Sequence, residues 1–300
     1  MLDPVAEPPA DTVRLTPESR FTLDYLGVPA SLADYVTTFY HFRCDDETIH
    51  DIQPAAIGHL SLFPRGVGAM SLPDGGSDSS HEVNLLTPFA QAAHFAVDGP
   101  FHAIGAALTP LGWAALTGLD AKLHANRLYA ARDWLVPELV DQCLEINADY
   151  RTGLADAQNC ADRLGALILA HLAPVRAGHV ELIAVVNGWL AASLQPDLDA
   201  LYAASPFSRR QTQRLVERYF GLTPVALRRK YRALRAAALL SLPMLSDEYE
   251  AQIAEAFYDQ PHMIRELRRF AGRAPARLGG EDSPFLNEML DPKNLRELDH

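Results

Sequence analysis

Two fourteen-residue segments, SRRQTQRLVERYFG (208–221) and FYDQPHMIRELRRF (257–270), constrain the fold of this chain more than any other feature. In the first, Thr212, Leu215, Val216 and Tyr219 fall at i, i+3, i+4 and i+7, the spacing of one buried helix face. Arg210, Gln213, Arg214 and Glu217 repeat that spacing on another face. Ser208 is placed to cap the N-terminus, and Gly221 to stop the helix in left-handed backbone. The second segment has the same design, with Met263, Leu267 and Phe270 inward and His262, Arg265, Glu266 and Arg269 outward. A short helix and a tight turn precede each: 196–205 with Pro206-Phe207, and 247–257 with Tyr258-Asp259-Gln260. Helix, short turn, basic helix is the helix-turn-helix arrangement.

Between the two units lies TPVALRRKYRALRAAALLSL, with Pro224 suited to the first helical turn. Leu227, Tyr231, Leu234 and Ala238 form its apolar face, and Arg228, Arg232 and Arg235 a basic stripe beside it. A rigid helix here fixes the separation of the two basic helices. On one side of B-DNA they need about 34 Å, one helical turn. Charge supports this reading. The chain carries a net charge of -12, yet residues 205–277 hold fourteen Lys and Arg against seven Asp and Glu. A basic block inside an acidic chain marks a partner, most often nucleic acid. Arginine matches guanine O6/N7 and glutamine matches adenine N6/N7 when a helix lies in a major groove.

Residues 20–130 have a different texture. GHLSLF (58–63), GAMSL (68–72), HEVNLL (81–86), AAHFAV (92–97) and HAIGAAL (102–108) are short and partly alternating. PRG (64–66), PDGGSDSS (73–80) and DGP (98–100) read as turns between them. This spacing predicts a small antiparallel sheet or cupin-like barrel. LGWAALTGL predicts a short helix ending near Gly118, and from about Ala131 the chain reads as helical. The fold class expected is α+β in two domains. Residues 1–20 form a flexible arm, 21–176 a sensor or dimerisation domain, 177–279 an all-α DNA-binding domain and 280–300 an acidic tail.

Catalytic signatures are not found. Cys44, Cys143 and Cys160 are widely spaced and read as small buried hydrophobes. Seven histidines between 41 and 124 share no ligand spacing, so neither a metal nor a cofactor is expected. No GxSxG, P-loop or GxGxxG occurs. No apolar run reaches the roughly 18 residues of a membrane span, and the N-terminus does not read as a secretory leader. The cytoplasm is therefore the expected location.

FYDQPHMIRELRRFAGRAP resembles the second helix-turn-helix of AraC/XylS-type transcriptional regulators, and SRRQTQRLVERYFGLTP resembles their first. The likeness includes the Gly-x-x-Pro that ends one helix and opens the next, and it covers roughly residues 178–278. It implies a domain of about seven helices that inserts two recognition helices, 208–220 and 261–271, into successive major grooves of double-stranded DNA. By that resemblance, Arg210, Gln213 and Arg214 contact bases from the first helix. Pro261, His262, Arg265 and Glu266 do so from the second, where Glu266 either accepts from cytosine N4 or pairs with Arg269 or Arg265. Ser208, Arg209, Arg228, Arg232 and Arg269 are the candidates for phosphate contact. Ala256 stands where the family commonly has glycine, and Thr212 and Val216 where it has larger apolar residues. The N-terminal part is more weakly similar to the effector-binding or dimerising domains of one branch of the family. RNA polymerase, a small-molecule effector and a second copy of the chain are the further partners implied.

Two other readings compete. In one, the N-terminal barrel is a small-molecule or metal-dependent enzyme and the C-terminal helices serve assembly. In the other, the helix-turn-helix shape is used on protein rather than on DNA.

Overall fold

The computed structural model describes residues 21–45, 48–242, 244–275 and 278. The expected arm at 1–20 and tail at 280–300 lie outside the described residues. Among the described residues, eight antiparallel strands form one sheet: β1 (Thr22–Leu26), β2 (Val36–Cys44), β3 (Thr48–Gln53), β4 (Gly58–Ser71), β5 (Ser77–Ser79), β6 (Val83–Leu86), β7 (Ala93–Leu108) and β8 (Leu128–Ala130). Their order is β1-β2-β7-β4-β6-β8, with β3 pairing onto β7 and β5 onto β4. The sheet is open rather than closed into a barrel.

Two of the expected turns lie inside long strands. PRG falls within β4, where the register against β7 shifts between Leu62 and Arg65 and again between Arg65 and Val67. Gly66 supplies the positive φ of 77° at this bulge. DGP falls within β7. There the strand changes partners, pairing with β3 up to Asp98 and with β2 from Phe101. Pro100 sits at that junction, where its missing N–H breaks no ladder bond.

Strand alternation divides the sheet into two faces. Leu60, Leu62, Ile104 and Leu108 point to a core shared with α1 (Pro110–Thr117), α2 (Pro137–Thr152) and α3 (Ala157–Ala170). Trp113, Leu139, Cys143, Ile146, Cys160, Leu164 and Ile168 fill that core. Gly58 is required there, because a Cβ on it would stand 2.3 Å from Trp113 Cε3. His59, Ser61 and Phe63 point to the opposite face, which lines a cavity.

Six further helices follow: α4 (Ala177–Ala191), α5 (Leu198–Ala204), α6 (Arg209–Phe220), α7 (Pro224–Leu240), α8 (Asp247–Ala256) and α9 (Gln260–Phe270). They build two cores. Leu182, Val186, Leu190, Leu201, Leu215 and Tyr219 form the first, and Ile253, Phe257, Leu267 and Phe270 the second. The linker helix α7 enters both, with Leu227 and Tyr231 in one and Leu234 and Ala237 in the other. Pro224, Lys230, Arg232, Ala233 and Ala236 are buried as well, so α7 is enclosed on several sides rather than along one stripe.

Candidate nucleic-acid interface and effector cavity

The α5–α6 unit is locked by a polar anchor at its turn. Thr212 is fully buried, and its Oγ1 lies 2.7 Å from Ser205 Oγ and donates to the Ser208 carbonyl at 3.1 Å. Ser205 Oγ also accepts from the Phe207 amide. The smaller residue here is the hinge pin of the turn rather than a gap in the core. Leu215, Val216 and Tyr219 are buried as their spacing requires, and Gly221 ends the helix at φ 77°. Ser208 occupies the cap position but makes no side-chain cap bond, contrary to expectation. Ser208, Arg210, Gln213 and Arg214 border a shallow polar groove on the outer side of α6. Arg209 lies 4.3 Å over the Tyr202 ring.

The α8–α9 unit is capped by Asp259, whose carboxylate accepts from the His262 amide at 2.7 Å. Ala256 closes α8 and is followed by Phe257 at φ -119°, so this turn needs no left-handed residue and alanine serves it without strain. Pro261, Arg265 and Arg269 are exposed on α9.

Glu266 is not on the outer face. It is 1% exposed, and its carboxylate meets Arg232 Nη2 and Arg229 Nε, each at 2.6 Å, and His262 Nε2 at 3.2 Å. Arg232 is buried with it and also donates to the Ala256 carbonyl at 3.0 Å. The expected base contact by Glu266 and phosphate contact by Arg232 are thus corrected: both sit in a buried cluster that fixes α9 to α7. The physical reason is that α7 packs along the edge of α9 that periodicity alone assigns to solvent. His262 is half-buried and turned into the same cluster. Arg228 is half-buried and donates to the Pro196 carbonyl at 3.1 Å, and Arg235 donates to Leu190 and Ser193 carbonyls, so the expected basic stripe faces protein.

Both candidate recognition helices are held at their C-terminal ends by the sheet side of the molecule. The last carbonyls of a helix lack intrahelical donors. Those of Arg269 and Phe270 accept from the Ala92 and Ala55 amides, each at 2.8 Å, and that of Arg218 accepts from the Ala121 amide at 2.8 Å. Lys122 Nζ reaches Glu217 at 2.6 Å. Lys230 of α7 is buried and donates to the Ala56 and Phe89 carbonyls. Beyond α9, Arg273 pairs with Asp51 at 2.5 Å with both side chains 2% exposed. Burial pushes the Asp51 carboxyl up, against the opposing pull of Arg273. Sequence reasoning missed Asp51, Lys230 and Arg273. No local pattern links residues 222 positions apart.

The cavity on the second face of the sheet has a volume of about 150 Å³. Its wall is largely apolar, including Phe42, Phe95, Phe101 and Met70. Tyr40 and His59 line it and are neutral at pH 7, because burial pushes the phenol up to about 12 and the imidazole down to about 4. The Pro54–Ile57 loop and Leu234 of α7 complete the wall. That loop also carries the Ala55 amide and Ala56 carbonyl that grip α9 and α7. One stretch of backbone therefore borders the cavity and anchors both elements.

No family model matches the chain, and no curated protein matches it. Among solved structures the chain is similar to ToxT from Vibrio cholerae O395, at 9% identity over 91% of this chain and 98% of that one, with a TM-score of 0.44. It is similar to the same protein bound to (E)-4-(8-methylnaphthalen-1-yl)but-3-enoic acid, at 9% identity over 90% and 99%, with a TM-score of 0.45. It is also similar to unsaturated fatty acid bound wild-type ToxT from Vibrio cholerae strain SCE256, at 9% identity over 92% and 98%, with a TM-score of 0.45. Among the described residues, no helix is long and apolar enough to cross a membrane.

Proposed function

We propose that the chain is a sequence-specific DNA-binding transcription regulator, with residues 177–279 acting on DNA and 21–176 sensing an effector or dimerising. The observation that carries this reading is the pair of helix-turn-helix units with α7 packed into the cores of both. Arg210, Gln213 and Arg214 on α6, and Pro261 and Arg265 on α9, are exposed at the positions suited to base edges. Ser208, Arg209 and Arg269 are the exposed candidates for phosphate. The cavity is the effector site in this reading, and the loop it shares with α7 and α9 is the route by which occupancy reaches the DNA-binding helices.

Selection of bound fragments from a random DNA pool, followed by titration at several salt concentrations, tests it. Arg214→Ala and Arg265→Ala each cost about 1–3 kcal/mol at one base position and relax preference there. Arg209→Ala weakens all sequences alike and lowers the salt slope by roughly one. Equal weakening of every sequence by Arg214→Ala and Arg265→Ala would remove both from the base-reading set.

A further inference from the structure

We infer that the cavity takes a small, uncharged, largely apolar molecule bearing a hydrogen-bond-accepting oxygen, which Gln53 holds through its side-chain amide. This rests on the reading of the sheet as an effector-sensing unit.

Among the described residues that line the cavity, none is Asp, Glu, Lys or Arg. An ionised ligand would lose its hydration there without gaining a counter-charge. The polar side chains of the wall are mostly engaged within the protein. Tyr40 and Ser61 bond each other at 2.7 Å, Thr37 donates to the Ala107 carbonyl, Thr38 to that of Phe39, and Ser80 accepts from the Gly68 amide. Gln53 differs. It is 6% exposed, it lines the cavity, and its Nε2 has no hydrogen-bond partner. A buried donor left unmade is costly, and an acceptor brought in by a ligand relieves that cost. Burial also keeps His59 and Tyr40 neutral, so neither supplies charge at pH 7. A volume of about 150 Å³ suits a single aromatic ring or a comparably short chain.

Gln53 ends β3 and runs directly into the Pro54–Ile57 loop. A ligand bound by its amide therefore acts on the residues next to the Ala55–Phe270 and Ala56–Lys230 bonds.

Three near-isosteric probes test the assignment by calorimetry on the full chain at pH 7.5: acetophenone, α-methylstyrene and benzoate. Acetophenone is expected to bind roughly fivefold to tenfold more tightly than α-methylstyrene, the effect of one neutral hydrogen bond. Benzoate is expected to bind weaker than acetophenone by a factor on the order of 100 or more. In Gln53→Leu the ketone falls to the level of the hydrocarbon, which itself does not weaken. Benzoate binding as tightly as the ketone, an unchanged ketone-to-hydrocarbon ratio in Gln53→Leu, or no saturable binding of any probe at millimolar concentration each overturns the assignment. If Gln53→Leu does not fold, the ranking of the three probes on the native chain decides. DNA affinity measured with saturating acetophenone separates the two levels: ketone-selective binding without any change in DNA affinity supports the ligand class and overturns the effector reading.

Discussion

Replacing Glu266 with alanine strips a buried arginine of its carboxylate. Glu266 is 1% exposed and Arg232 8%, while Arg229, the other guanidinium on the cluster, is 41% exposed. Arg229 can return to water, so its pairing adds little to the balance. Arg232 cannot. It keeps the Ala256 carbonyl and the Gln195 side chain as acceptors but loses its counter-charge. Breaking a buried pair from one side costs about 3–5 kcal/mol. Removing both charges together leaves no stranded ion, so the double variant Glu266→Ala/Arg232→Ala costs less than the sum of the singles by about 2–3 kcal/mol. Urea unfolding gives the four corners of the cycle, and hydrogen exchange localises the loss to the α7 and α9 amides. Additive single effects, or a Glu266→Ala cost below roughly 1 kcal/mol, would refute the clamp. The same variant should lower affinity for selected DNA without shifting preference at any one base position. A single-position shift would return Glu266 to the base-reading set.

Arg273→Ala leaves Asp51 buried and unpaired, and should cost about 3–5 kcal/mol near pH 7. Burial already raises the folded-state carboxyl, and losing Arg273 raises it further, so the deficit is largest at neutral pH and shrinks as pH falls toward 4; paired denaturation curves at the two pH values check the sign. His59 behaves oppositely. Its folded pKa is lowered to about 4 from 6.5, so stability is intact above pH 6.5 and falls by roughly 3 kcal/mol as pH drops toward 4, a slope that His59→Gln should flatten in denaturation curves. Gly58→Ala pushes a methyl onto Trp113 and should destabilise by about 1–3 kcal/mol, whereas Gly188→Ala, in open space on α4, should stabilise by roughly 0.5–1 kcal/mol; thermal unfolding of both tests the packing.

The helical half of this fold was the more legible. A helix shows its buried face every three or four residues, and α6 and α9 show theirs within a single window. The sheet was harder. VTTFYHFRC of β2 is buried on both faces for most of its length and so shows no alternation to mark it as a strand. PRG and DGP are turn chemistry by composition, but a bulge and a change of partner use the same residues. Periodicity placed Thr212 correctly inside and Glu266 wrongly outside. It reports the face of a helix, not whether a second helix covers the flank. Gln53 and the Asp51–Arg273 pair gave no local signal, because what makes them distinctive is the company that folding brings.

Ala55 and Ala92 hold α9, and Ala121 holds α6, through their main-chain amides. Mutation changes side chains and leaves amides in place, so this docking can persist while the sequence on either side drifts. Proline is one exception, since it deletes the donor; a bulky side chain at Ala55 or Ala121 is another, since both are buried. These three bonds are therefore nearly silent in sequence comparison: two relatives could share all of them and show no identity at these positions, provided none is proline and the residues at 55 and 121 stay small.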